Sequence, residues 1–207
     1  IRDIINRSPN AFVETLSNIA FFVDGPLAIY GNPAMLHSAI MKYLYEINEI
    51  MIENGKNPIL IIGNVRSNEV VNYFKFIDSE IVPETILCLS DEIRNKYVDC
   101  NKTPSASTFG SETYYGQDFV YKSKSGKLFM FDLPYPYRDK TNLQAFIKDK
   151  STLTNYINLN KAILLLEEFK CDLYSNTVIP VALARKHTVI SLKPGSKILD
   201  LLTKSNL

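Results

Sequence analysis

Apolar and polar positions along this chain switch repeatedly between unbroken runs, alternation and helical spacing. Ile19-Ala20-Phe21-Phe22-Val23 is continuously apolar, stops at Asp24-Gly25-Pro26, and resumes as Leu27-Ala28-Ile29-Tyr30 before Gly31-Asn32-Pro33. Apolar runs bounded by turn residues predict a buried strand that turns into a second, paired one. Pro33 suits a helix start, where its missing N–H is not needed. Leu36, Ala39, Ile40, Tyr43, Leu44, Ile47, Ile50 and Met51 then recur at helical spacing, with Asn54-Gly55 as the stop. A buried strand is predicted over 58–63, a helix over 68–76, a short strand over 86–89, and a helix over 91–97 capped by Ser90.

Residues 99–113 are rich in Asn, Thr, Ser and Pro and predict a loop. Phe119–Ser123 and Lys127–Leu133 read as a hairpin around Lys124-Ser125-Gly126. Helices are expected over 159–169 and 179–186, an extended segment over 188–192, and a closing helix after Pro194-Gly195-Ser196. Strands alternating with helices, plus one hairpin and no internal repeat, indicate an α/β domain: a mixed sheet flanked by helices.

Composition narrows the function. The chain has 207 residues, 46% apolar and 22% charged, which suits a single domain spanning 1–207. Its formal net charge of +1 supplies no global basic field and argues against a free-standing DNA binder. A local basic groove, or delivery to DNA by a partner, stays open. Cys88, Cys100 and Cys171 form neither a disulfide framework nor a zinc spacing, so a reducing, cytoplasmic compartment is expected. No apolar run is long enough to span a bilayer, and no signal peptide is visible. The chain opens on Ile1, which suggests trimming at the amino end.

Two aspartates stand out. Asp24 follows an apolar strand, and Asp132 interrupts Leu128-Phe129-Met130-Phe131-Asp132-Leu133. A carboxylate in such a setting is costly unless it is paired or binds a cation. Two of them suggest a shared site for a hard metal, with turn formation as the alternative. Asp118, at the entry to the hairpin, and Glu112, in the loop before it, are candidates for a third carboxylate. His187 lies beside Arg185 and Lys186; it could ligate metal, touch phosphate or act as an acid, and the two cations suit backbone phosphates. Tyr135 and Tyr137 could stack a base or simply pack. His37 reads as an ordinary helix residue. Walker, dinucleotide-binding, nucleophile-elbow and H-E-x-x-H motifs are all missing.

Phe-Val-Asp-Gly-Pro-Leu-Ala-Ile-Tyr-Gly, Tyr-Gly-Gln-Asp-Phe-Val-Tyr-Lys-Ser, Phe-Asp-Leu-Pro-Tyr and Val-Ile-Pro-Val-Ala-Leu-Ala-Arg-Lys-His together resemble the NurA nuclease domain, over about residues 18–202. The resemblance implies an RNase H-like core, a homodimer, and DNA cleavage with Mn²⁺ or Mg²⁺ beside a HerA-type hexameric ATPase. It also implies that Asp24 and Asp132 are metal ligands, together with an acidic residue at Asp118 or Glu112. The family's histidine directly follows an alanine; here Ala184 is followed by Arg185, and His187 comes two residues later. His187 either takes that role or the histidine is lost, so a catalytically impaired subunit that docks the ATPase ring is the alternative expectation.

Overall fold

The computed structural model describes residues 9–98, 113–174 and 176–188. Glu112, Cys100, the 99–112 segment and the segments expected beyond Thr188 lie outside them. In chain order the elements are α1 (Pro9–Ser17), β1 (Ala20–Asp24), α2 (Leu36–Glu53), β2 (Leu60–Val65), α3 (Glu69–Phe76), β3 (Ile86–Cys88), the single turn α4 (Asp91–Ile93), β4 (Gly116–Lys122), β5 (Leu128–Pro134), α5 (Leu143–Asp149) and α6 (Leu159–Glu168). Residues 179–188 form a further helix, α7. The strands make one mixed sheet in the order β1-β2-β5-β4-β3, in which only β1 and β2 pair in parallel.

Local chemistry explains most of the boundaries. Asn68 accepts a hydrogen bond from Val71 N–H to open α3, and Ser90 accepts one from Ile93 N–H to open α4. Pro33 sits in a 3-10 turn over Asn32–Met35 that leads into α2, and Asn54 ends that helix before Gly55 at φ +70°. The hairpin turns at Gly126, φ +83°. The expected α4 helix stops after one turn and continues as a π-helical segment, Arg94–Val98. α1 and α5 were not foreseen from periodicity.

Register assigns the faces, because side chains alternate across a strand while direct cross-strand partners share a side. Phe22, Ile62, Phe131 and Phe119 lie on one face and form a core with Ala162 and Leu166 of α6 and with Val178 and Val181. On the other face Val65, Met130, Val120 and Leu128 pack against Val70, Val71 and Phe74 of α3. α1 and α2 meet the sheet at Ile59 and Ile61. A sheet with helices on both faces is therefore the observed architecture.

Two expectations are corrected here. β1 is an edge strand with no fully buried residue: Phe22 meets Phe169 edge-on, while Phe21 is 41% exposed. An unbroken apolar run meant burial on both faces, but among the described residues only the inward face is covered. Leu27–Tyr30 is not a strand paired with β1 either; it keeps a single bridge, Ala28 to Tyr114. Gly25, at φ +132°, and Pro26 swing the chain across the sheet instead, and they seat the fully buried Leu27 between two glycines. A Cβ on Gly63 would meet Gly25 O at 2.9 Å and Leu27 Cγ at 3.0 Å, and one on Gly116 would meet Leu27 Cβ at 2.7 Å.

Gly116→Ala is therefore expected to cost about 1–3 kcal/mol through overpacking. A urea titration should show a lower midpoint at an unchanged slope. An unchanged midpoint would mean that the Leu27 turn has room to move.

Candidate functional site

Asp24 ends β1, and Arg66 follows the last residue of its parallel neighbour β2. In α/β sheets the carboxyl ends of parallel strands are where ligands gather. Arg66 Nε donates to Asp24 Oδ1 at 2.9 Å, and Arg185 Nε, from α7, donates to Oδ2 at 2.6 Å. Both carboxylate oxygens are thus held by cations at a solvent-facing corner, where the Asp24 side chain is 32% exposed. Lys186 and His187 are exposed on the same helix. Beside Asp24 lies its cross-strand partner Asn64, fully buried, whose Nδ2 donates to Asn176 O at 2.9 Å. Asn176 takes a left-handed backbone, φ +53°, at the approach to α7.

The other two candidate aspartates, Asp118 and Asp132, occupy the opposite face. Asp132 pairs with Gly63 and Asp24 with Asn64, so one register step and one strand separate them and their side chains point to opposite sides of the sheet. Asp132 instead lies directly across from Asp118. Both are buried, and so is Arg94, which makes an ion pair with Asp118. Asp132 Oδ2 accepts from Leu27 N–H at 2.7 Å, while its Oδ1 has no hydrogen-bond partner among the described residues. Burial pushes the Asp132 carboxyl up to about 7, with the Leu27 N–H and the Arg94 charge acting against that rise. A second buried pair, Lys150 Nζ to Asp91 Oδ1 at 2.6 Å, lies nearby.

Comparison with protein-family models, with curated proteins and with solved structures returned no match. The site must be read from its own residues.

Those residues do not make a cage for the divalent ion that the resemblance implies. Hard cations need several oxygen ligands converging on one point. Among the described residues no group of three His, Cys, Asp or Glu side chains converges in that way. Asp24 is committed to two arginines, Asp118 to Arg94, and Asp132 to a backbone N–H on the far face.

Tyr135 is corrected from a base-stacking candidate to a core residue. It is 4% exposed, packs edge-on against Phe146 at 4.9 Å, and lies under the Lys140 ammonium. Tyr137 packs against the same phenylalanine. A cleft of about 260 Å³, lined by Ile52, Pro58, Leu60, Leu133 and Ile157, sits at the opposite end of the strands from Asp24. Asn48, Glu49 and Asn155 also line it, and it holds none of these groups.

Sequence reasoning missed Arg66, Asn64 and Arg94. Arg66 carried a usable signal, since it follows an apolar strand just as Asp24 does. Arg94 carried none, because its partner Asp118 is distant in sequence and meets it only through the fold.

Proposed function

We propose that the chain is a NurA-like nuclease subunit that acts on DNA phosphodiesters. The carrying observation is the Asp24 corner: a solvent-facing carboxylate at the end of the parallel strand pair, bracketed by Arg66 and Arg185 with Lys186 and His187 alongside. A scissile phosphate needs cations that neutralise its charge and a polar group beside its reacting atoms, and this corner offers both. The near-neutral net charge fits a protein brought to DNA by a partner rather than by its own field. An RNase H-like sheet, a homodimer, a HerA-type ATPase partner and a cytoplasmic setting belong to the same proposal, as does Mn²⁺ or Mg²⁺ as cofactor, although the described residues by themselves form no ligand cage for it. Among the described residues no helix is long and apolar enough to cross a membrane.

The expected result is cleavage of single-stranded or end-exposed DNA with Mn²⁺, lost in Asp24→Ala and followed on a denaturing gel. Cleavage that persists undiminished in both Asp24→Ala and Asp132→Ala would overturn the assignment.

One observation favours a second reading, a docking subunit for the ATPase ring with impaired chemistry. Asp24 and Asp132 face opposite sides of the sheet, and Arg94 answers Asp118. That reading expects stable association with the ATPase and no heat of Mn²⁺ binding in calorimetry.

A further inference from the structure

We infer that Arg66 and Arg185 form a phosphate-binding fork that Asp24 holds in place, so that this chain grips a phosphate group without a metal ion. Each arginine commits its Nε to a different oxygen of the same carboxylate, at 2.9 Å and 2.6 Å. Neither guanidinium makes a further hydrogen bond or ion pair among the described residues. Each keeps four N–H groups on its two terminal nitrogens, and these planar donors match phosphate oxygens bidentately.

The charge balance has the right sign. Two guanidinium ions against one carboxylate leave the trio net positive. Asp24 therefore acts as a positioning residue: it fixes both planes before an anion arrives, which lowers the ordering cost of binding. Its own place is fixed by backbone, since Gly25 N–H donates to Asn64 O at 3.1 Å and Asp24 pairs in register with Asn64. The three groups come from β1, the end of β2 and α7, and the Arg185 side chain is 55% exposed while that of Arg66 is 23% exposed. The fork is thus open on one side and anchored on the other.

The identity of the phosphate carrier rests on the DNA reading, whereas the fork does not. A backbone diester and a free or terminal phosphate share the recognised chemistry, so the test carries an arm for each. Binding of a fluorescein-labelled single-stranded oligonucleotide is followed by anisotropy in EDTA, so that no metal contributes. Arg66→Ala and Arg185→Ala should each weaken binding about ten-fold and lower the slope of log affinity against log salt by about one. Arg66→Lys should recover only part of the loss, because an ammonium lacks the planar fork. Lys75→Ala, on α3, is the control for a general charge effect. Displacement of the oligonucleotide by inorganic phosphate assigns the fork to a free or terminal phosphate, and resistance assigns it to the backbone diester; either supports it. Wild-type affinity and salt slope in both arginine variants would overturn it. Arginine-dependent binding without any Mn²⁺-dependent cleavage would sink the nuclease reading and leave the fork standing. Mn²⁺-dependent cleavage together with binding indifferent to both arginines would do the reverse.

Discussion

Arg94→Ala is expected to destabilise the fold by about 3–5 kcal/mol, the cost of stranding a buried charge by removing its partner. Asp118 and Asp132 lie directly across β4 and β5 from each other, both buried, with the Arg94 guanidinium on Asp118. Without it, two carboxyl groups share one dry site and only one readily ionises. The midpoint of guanidinium denaturation should fall sharply at pH 8 and recover in part at pH 5, where an acid can take up a proton. Asp118→Asn placed in the Arg94→Ala background should also restore part of the loss, because it removes the stranded charge. If Arg94→Ala unfolds at the wild-type midpoint, the ion pair contributes nothing to the core, and this account of the buried centre fails.

Asp132→Asn is expected to raise stability at pH 8 by several degrees in melting temperature, and to make little difference near pH 4. The sign follows from linkage. The folded carboxyl is pushed up to about 7 from the 3.8 of a free side chain. A raised acid favours its proton in the folded state, so its contribution is fully present below about pH 4 and is lost as pH rises toward 7. Above that it stays lost. Asparagine mimics the neutral form at every pH, and its Oδ1 can still accept from Leu27 N–H. The difference between wild type and variant cancels the titration of all other groups, so it isolates this residue. A difference that is flat with pH would show that Asp132 is ionised at no cost, and a destabilised variant at pH 8 would show that its charge stabilises the fold. A buried acid that weakens its own fold near neutral pH is the kind of residue that function retains against stability.

These two experiments and the cleavage and binding assays probe opposite faces of one sheet. Arg94 and Asp132 concern the buried centre under the Leu27 turn, while the cleavage and binding assays concern the Asp24 corner. The two faces are joined through Gly63 and Asn64 of β2 and through the Gly25–Leu27 turn, whose Leu27 N–H reaches Asp132.

The sequence by itself determined the elements whose signals are local. The helix over Leu36–Glu53, the Ser90 cap, the hairpin at Gly126 and the helix over Leu159–Glu168 were all legible, because periodicity, capping and turn chemistry act within a few residues. It also picked out Asp24 and Asp132 as carboxylates in unusual places, from their apolar neighbours alone. What it could not supply was which side of the sheet each one faces. That depends on strand order and register, and a single register step sends neighbouring side chains to opposite faces. Only the tertiary structure set Asp24 between Arg66 and Arg185, put Asp132 against Asp118 and Leu27, and turned Gly25-Pro26 into a crossing over Gly63 and Gly116. The physical reason is common to all three: ion pairs and close approaches between residues far apart in sequence leave no periodic trace in the chain.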